Sequence, residues 1–168
     1  MKLLYIPFLF FTILNGTAQQ TTDRWQCLPC GYDCDQNVFD GPGKCASCGM
    51  DLVRQSTIRF KTIQPVDLCD YLQKNRDVVL LDVRTPEEFT GKADPDFGTL
   101  KGAINVPVQE LEARLASLSH LKGREIIVFC SHSHRSPRAS YMLNQNGFNH
   151  VTNLAGGMSM MTDRRCMQ

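Results

Sequence analysis

Cys130 is the residue whose position in the sequence most clearly suggests chemistry. It follows the apolar run 126–129, which has the pattern of a buried strand, and a short turn leads from it into the helical segment 137–145. In an open α/β sheet, ligands bind outside the carboxyl ends of the strands, so we expect Cys130 to lie at a site. The N–H groups of the turn and the guanidinium of Arg135 would favour a thiolate. Such a thiolate can attack a sulfane sulfur and hold the resulting persulfide, which predicts two-step covalent transfer.

The turn after Cys130 supplies candidates for contact with a substrate. Ser136 stands at the start of the helical segment, where it could cap the helix. His132 and His134 either contact the substrate, one of them as an acid, or point into solvent, and no third ligand near them in the sequence supports a metal site. The residues that we expect to bind substrate are Ser131, His132, Ser133, His134 and Ser136.

A second group of reactive residues consists of cysteines between residues 25 and 53. Two Cys-x-x-Cys pairs are separated by 14 residues, which is close to the spacing of two-knuckle zinc sites. A segment of about 30 residues cannot bury enough core to fold alone, so it needs a metal or disulfides. Zinc in a structural role is the expected cofactor, with no organic cofactor. The predicted ligands are Cys27, Cys30, Cys45 and Cys48.

Cys34 is a fifth thiol in this segment and leaves the ligand set open. It either replaces one of the four ligands, pairs with a partner or stays free. The blocks 42–45 and 48–53 resemble the ending of short heavy-metal-binding modules, whose usual Met and His are missing from the opening here. The extra thiol favours zinc over copper held by Met and His, although Cu(I) also accepts thiolates. Three roles stay open: a structural knuckle, a disulfide-bonded segment in an oxidising compartment, and metal delivery or sensing.

The residues from 56 to 163 alternate between strand patterns and helix patterns. Continuous apolar runs such as 78–83 are typical of strands that are buried on both faces. This alternation predicts an α/β sandwich around a mainly parallel sheet. Strands are predicted at 57–63, 78–83, 126–129 and 151–154, and helices at 65–73, 86–89, 108–119 and 137–145.

Four blocks in this part of the chain resemble motifs of the rhodanese family and occur in the family's order. They comprise a strand with its following turn, a second turn, the strand that ends at Cys130 with its loop, and a closing segment. The blocks are LLDVRTPEEF at 80–89, GAINVP at 102–107, IVFC at 127–130 with Arg135-Ser136, and GFNHV at 147–151 with LAGGM at 154–158.

This resemblance implies a rhodanese-like three-layer sandwich and a sulfurtransferase with Cys130 as its nucleophile. It also implies that Asp82 and Arg84 brace the active-site loop, in which Arg135 closes a C-x4-R sequence. Related phosphatases and arsenate reductases of this architecture carry C-x5-R, whose additional residue widens the loop for a tetrahedral oxyanion. The shorter loop implies sulfur transfer, from a donor such as thiosulfate to cyanide or a thiol.

Several positions depart from the family pattern or lie outside its motifs. Ser133 stands where the family loop often has Gly, and we expect it to fit with a negative φ. The additional loop 91–98 is a hypothetical border of the substrate entrance. Cys69 lies among apolar helix residues and is expected to be an inert core thiol. Cys166, in the polar tail, is either an exposed free thiol or the partner of another Cys.

The first residues predict a secretory signal peptide. The apolar run 3–14 is shorter than the roughly 20 residues that span a bilayer, and Gly16 and Ala18 suit cleavage after Ala18. An uncleaved anchor is the alternative. No later segment is apolar enough to span a membrane, so the expected location is periplasmic or secreted. The formal net charge of +1 argues against broad binding to nucleic acid.

The sequence thus predicts three segments: a signal peptide at 1–18, a Cys-rich metal-binding-like module at 25–53 and a rhodanese-like domain at 56–163. The leading hypothesis is an exported sulfurtransferase. Its partners would be a small sulfur-containing anion or a thiol, or a protein that donates or accepts a persulfide. The alternative is a non-catalytic metal- or sulfur-binding protein of the cell envelope. An arsenate or phosphate enzyme is disfavoured by the loop length.

Overall fold

The structure is a computed structural model that describes residues 23–168. The predicted signal peptide at 1–18 lies outside the described residues. Within them, no helix combines the length and the apolar character needed to cross a bilayer.

Short strands and helices follow one another along the described part of the chain. The strands are β1 (Trp25–Gln26), β2 (Val38–Phe39), β3 (Val53–Arg54), β4 (Lys61–Ile63), β5 (Val79–Asp82), β6 (Ile104–Asn105), β7 (Ile126–Phe129) and β8 (Val151–Leu154), and the α-helices are α1 (Pro65–Lys74), α2 (Pro86–Phe89), α3 (Val108–Arg114) and α4 (Arg135–Gln145).

The main sheet has the strand order β4-β8-β7-β5-β6, and all its pairings are parallel. Its central strands alternate their side chains between two cores. Leu81 and Val128 pack on the face covered by α3 and α4, whereas Leu80 and Ile127 pack on the face of α1. Burial of both faces explains why these strands read as continuous apolar runs. The predicted α/β architecture with a parallel sheet is confirmed.

Three predicted elements differ from the structure by more than one residue at one end. The strand pattern over 57–63 yields a strand only from Lys61, because β8 offers partners only to Lys61–Ile63. The helix pattern over 108–119 ends at Arg114 and gives way to turns. Helix α4 begins at Arg135, not Pro137, so Pro137 lies in its first turn. A proline is tolerated there because the N–H groups of the first turn have no acceptor within the helix.

The Cys-rich module, residues 25–53, packs on the α3–α4 face of the main sheet. Its short antiparallel sheet has the order β2-β1-β3. Leu28 and Met50 of the module belong to the same hydrophobic cluster as Leu111 of α3 and Leu143 of α4. The module therefore shares a core with the larger sheet.

A disulfide joins Cys69 of α1 to Cys166 in the carboxyl-terminal tail, 97 positions further along the chain. Cys69 is buried among apolar residues as expected, but the expectation that it is a thiol is wrong. The second alternative for Cys166, pairing with another Cys, is the one observed. The bond fixes the tail on the α1 side of the sheet, where Lys101 also donates its N–H to the Cys166 carbonyl at 3.0 Å.

Candidate active site

Cys130 lies at the carboxyl end of β7, immediately after the last residue of the strand, and is 1% exposed. The backbone N–H of Ser136 donates to Cys130 Sγ at 3.4 Å, and the Ser136 hydroxyl lies 3.4 Å from the same sulfur. Ser136 thus faces the sulfur and does not cap the helix, whose N-cap residue is His134. The positive end of the α4 dipole is directed at this region, which stabilises a negative sulfur.

The loop between Cys130 and Arg135 presents unused backbone donors. Ser131 and Ser133 are buried, whereas His132 and His134 are exposed. Within the described residues, the N–H groups of these four loop positions donate to no backbone or side-chain acceptor. Free N–H groups at the N-terminus of a helix form an anion-binding site. The loop is therefore suited to a thiolate, a persulfide or a small anionic donor.

Ser133 has a φ of 54°, which corrects the expectation of a negative value. This left-handed conformation costs a non-glycine residue roughly 1–2 kcal/mol. Two hydrogen bonds oppose that cost: the Ser133 hydroxyl donates to the Leu154 carbonyl at 3.2 Å and accepts from the Asn153 side-chain amide at 3.2 Å. These bonds explain how a serine occupies a position where the family loop often has Gly.

The segment after β8 supports the loop from behind. The N–H of Met158 donates to the Cys130 carbonyl at 2.8 Å, and the N–H of Ser159 donates to the Ser131 carbonyl at 2.9 Å. Gly157 has a φ of 67°, and a Cβ at this position would collide with the Cys130 carbonyl oxygen. The glycine is therefore required for this close approach of two backbones.

Glu88 is a site residue that the sequence analysis does not single out. Its two carboxylate oxygens accept hydrogen bonds of 2.6 Å from the two terminal nitrogens of Arg135. The Ser131 hydroxyl donates to the same carboxylate at 3.0 Å. The Arg135 bonds, with those from Thr85 and Ser131, outweigh burial and lower the pKa of Glu88 to about 2. The same pairing raises the pKa of Arg135.

This pairing adds a structural contact to the role expected of Arg135. Glu88 fixes the guanidinium beside the loop, and interaction with Cys130 also contributes to the raised pKa of Arg135. A local signal for Glu88 exists in the sequence: Thr85 and Glu88 have capping-box spacing, and the structure shows both reciprocal bonds of that motif. The capping box orients the Glu88 side chain at the start of α2, from which it reaches the loop.

Asp82 and Arg84 form a fully buried ion pair, with 2.6 Å between Arg84 Nη2 and Asp82 Oδ2. Arg84 also donates to the Gly98 carbonyl at 2.9 Å, and the Thr99 hydroxyl donates to Asp82 at 3.3 Å. The pair therefore anchors the end of loop 91–98. The bonds that reach the Cys130 loop directly come from Glu88, from β8 with the segment after it, and from Tyr32.

Aromatic side chains flank the exposed histidines of the loop. The ring centroids of Phe97 and His132 are 5.2 Å apart, and those of Tyr32 and His134 are 6.2 Å apart. The Tyr32 hydroxyl also donates to the His132 carbonyl at 3.2 Å. Loop 91–98 and the Cys-rich module thus approach the loop 130–135 from two sides.

The group of cysteines that lie close together in the module differs from the group predicted from the sequence. One ligand atom from each of Cys27, Cys34, Cys45 and Cys48 lies within 4.8 Å of the others. The predicted fourth ligand, Cys30, lies outside this set and donates its thiol hydrogen to Asp35 at 3.2 Å. A 3₁₀ turn at Asp33–Gln36 directs Cys34 inward and makes this exchange.

Three of the four sulfurs have shifted pKa values. Burial raises the pKa of Cys34 to about 11, and burial together with Cys48 also raises the pKa of Cys27. Burial acts in the same sense on Cys45, but N–H donors from Cys48 and Ser47 outweigh it and lower the pKa of Cys45 to about 7. A cation would relieve the repulsion and burial that oppose ionisation, and four thiolates suit zinc or Cu(I).

Comparisons with known proteins agree with this geometry. The family model "Rhodanese-like domain" matches residues 66–163. A sulfurtransferase of Allochromatium vinosum is 31% identical over 57% of this chain and 82% of its own length. Thiosulfate sulfurtransferase PspE of Escherichia coli is 33% identical over 46% of this chain and 68% of its own length.

The wider set of similar proteins includes other activities and a solved structure. A tRNA uridine(34) hydroxylase of Buchnera aphidicola is 33% identical, but the match covers 51% of this chain and only 27% of that protein. The solved structure of a rhodanese-related protein from Thermoplasma volcanium is 27% identical, with a TM-score of 0.51, and the match covers 61% of this chain and 90% of that one.

Proposed function

The chain belongs to the rhodanese-like domain family, and from this premise we propose that it is a sulfurtransferase that carries sulfur as a persulfide on Cys130. The observation that carries the proposal is the setting of the sulfur. Cys130 Sγ accepts a hydrogen bond from the Ser136 N–H in the first turn of α4. The N–H groups of the four neighbouring loop positions have no acceptor in the described residues. Such donors stabilise both a thiolate and the persulfide anion that replaces it.

The proposed reaction has two displacement steps. The Cys130 thiolate attacks the outer sulfur of thiosulfate, a bond forms between the two sulfurs, and sulfite leaves with the electron pair of the broken sulfur–sulfur bond. Cyanide or a thiolate then attacks the outer sulfur of the persulfide, and Cys130 leaves as the thiolate. The free N–H groups of the loop stabilise the anion in each state. The name of the E. coli relative supports thiosulfate as a donor.

Steady-state kinetics with thiosulfate and cyanide test this function. We expect thiocyanate formation with parallel double-reciprocal lines, as in a ping-pong reaction, and no turnover by Cys130→Ser. Ser140→Ala is the matched control, because it removes a buried hydroxyl of α4 that has no partner among the described residues. Turnover retained by Cys130→Ser would contradict the proposal.

For the Cys-rich module, we propose a structural zinc ion held by Cys27, Cys34, Cys45 and Cys48. Their convergence within 4.8 Å supports this site. Zinc would supply no sulfur chemistry there, since four thiolates leave it no open coordination position. Its part is to fold a module too small to be stable on its own. Metal analysis of the purified chain tests the proposal, with one zinc per chain expected.

The proposed location is outside the cytoplasm, in the periplasm or secreted. The signal-like residues 1–18 support it, and so does the Cys69–Cys166 disulfide, because such bonds persist mainly in oxidising compartments. Fractionation of cells that express the full chain tests the location. Recovery of uncleaved, reduced protein in the cytosol would contradict it.

A further inference from the structure

One segment of the Cys-rich module, residues 29–32, contacts the catalytic loop, residues 130–135, and the segment after β8 that supports this loop. The N–H of Gly156 donates to the Cys30 carbonyl at 3.1 Å. Gly31, with a φ of 91°, lies so close to Ala155 that a Cβ would come within 2.6 Å of the Ala155 Cβ. Tyr32 bonds to the His132 carbonyl. This contact is a backbone fit between the module and the segment that follows β8.

Asn153 of β8 links the same segment to the catalytic loop through a single side chain. Its Nδ2 group donates to the Pro29 carbonyl at 3.2 Å and to the Ser133 hydroxyl at 3.2 Å. Asn153 is fully buried. One amide group therefore joins a backbone atom of the module to the loop residue with the unfavourable φ.

This link matters because Ser133 needs external support. A serine at a φ of 54° keeps that conformation only where its surroundings fix it. If Pro29 moves, the Asn153 amide loses one of its two acceptors and its orientation is no longer fixed. Ser133 then has a weaker partner, and the loop that presents N–H groups to Cys130 is free to relax.

At the other end, the position of Pro29 depends on the cysteine cluster. Pro29 lies two positions from Cys27, and the following turn is closed by Asp35, whose carboxylate accepts the N–H groups of Cys30 and Gly31 at 2.7–3.0 Å. Cys27 and Cys34, which flank this turn, both belong to the four-sulfur group. A metal held by that group would fix Cys27 and Cys34, and with them both ends of the segment that contains Pro29.

We infer that the Cys-rich module helps to position the sulfur-transfer site. Metal bound by its four cysteines fixes Pro29, and Asn153 is the positioning residue that couples the position of Pro29 to Ser133 and the Cys130 loop. The inference rests on the proposed function, because it assigns the module's metal a role in the same site. Removal of the metal should loosen the catalytic loop even though no metal ligand belongs to that loop.

Amide hydrogen exchange measured by NMR on the chain without residues 1–18 tests this inference. The reporters are the N–H groups of Met158 and Ser159, which donate to the carbonyls of Cys130 and Ser131. The reference is the N–H of Ile126, which donates to the His150 carbonyl at the opposite end of the sheet. Each sample is measured anaerobically, with zinc and after treatment with EDTA.

In the wild type we expect zinc removal to accelerate exchange of Met158 and Ser159 about fivefold or more, with Ile126 unchanged. In Asn153→Leu, which keeps a similar side-chain volume, both reporters should exchange fast with zinc present and should no longer respond to its removal. The variant should still bind one zinc ion. Thr152→Ser, in the adjacent position of β8, is the control and should respond like the wild type.

Equal exchange of the reporters with and without zinc in the wild type would overturn the inference. So would an Asn153→Leu variant that still responds to zinc, or a wild-type chain that binds no zinc. Because the wild-type comparison needs no substitution, a failure of the variant to fold does not decide the result. None of these measurements uses a sulfur donor, so persulfide formation on the same samples tests the proposed function separately.

Discussion

Glu88 and Arg135 form a two-point ion pair beside the Cys130 loop, with 2.6 Å from each terminal guanidinium nitrogen to a carboxylate oxygen. The two residues are 47 positions apart in the sequence. Glu88 is fixed by its own capping box, so the pair connects the start of α2 to the start of α4. The loop around Cys130 is thereby braced by a carboxylate that has no direct contact with the reacting sulfur among the described bonds.

Glu88→Gln should change the acid stability of the protein. The pKa of Glu88 falls from an ordinary 4.5 to about 2 on folding. Its stabilising effect is therefore full above pH 4.5 and disappears as the pH falls through 2. The wild type should lose up to about 3 kcal/mol of unfolding free energy over this range through Glu88, and Glu88→Gln should not.

Urea unfolding at several pH values measures the difference, with the exposed Glu87→Gln as control. Identical profiles for Glu88→Gln and the wild type would contradict the assignment.

Ser136→Ala should slow sulfur transfer without unfolding the chain. The substitution removes the hydroxyl that lies 3.4 Å from Cys130 Sγ and leaves the backbone N–H in place. A hydrogen bond to a charged group contributes about 1.5–3 kcal/mol, so a loss of about tenfold or more in the rate of persulfide formation is expected. Ser140, one helical turn later, is buried with a hydroxyl that has no partner among the described residues. Ser140→Ala should leave the rate unchanged, and equal rates for both variants would argue against a role for the Ser136 hydroxyl.

Cys34→Ser and Cys30→Ser should differ sharply in their effect on zinc binding. The four-sulfur group contains Cys34 and excludes Cys30. We expect Cys34→Ser to weaken zinc affinity about 100-fold or more and Cys30→Ser about tenfold or less. Competition with a chromogenic chelator measures both. The reverse order would restore the simple pairing of Cys27/Cys30 with Cys45/Cys48.

The Cys69–Cys166 disulfide should contribute strongly to stability. It closes a loop of 97 positions, and a loop of this size is expected to add up to about 4–5 kcal/mol by restricting the unfolded chain. The double variant Cys69→Ala, Cys166→Ala should therefore unfold at lower urea concentration than the oxidised wild type, and at nearly the same concentration as the reduced wild type. An unchanged urea midpoint after reduction would show that the bond contributes nothing to the free energy of unfolding.

The sequence predicts those features of the fold that depend on local patterns. Leu80 and Leu81 lie in a continuous apolar run because both faces of β5 are covered, and such a run is visible without a structure. The position of Cys130 between a buried strand and a helix likewise follows from neighbours in the chain. The loop and the place of Cys130 at its start were therefore accessible to sequence reasoning.

Features that depend on distant contacts were not accessible in this way. The grouping of Cys34, and not Cys30, with Cys27, Cys45 and Cys48 depends on how Asp35 closes a turn. The Cys69–Cys166 bond joins residues with no shared local pattern. The positive φ of Ser133 depends on bonds to Asn153 and Leu154, which come 20 and 21 positions later. Each of these requires knowledge of which segments meet in the folded chain.

Persulfide transfer at Cys130 is tested most directly by the intact mass of the reduced protein after incubation with thiosulfate. We expect one added sulfur atom in the wild type, lost on addition of cyanide, and no added sulfur in Cys130→Ala. Ser140→Ala should gain the sulfur as the wild type does. A folded wild type that gains no sulfur, or a Cys130→Ala variant that still gains it, would contradict persulfide transfer at Cys130.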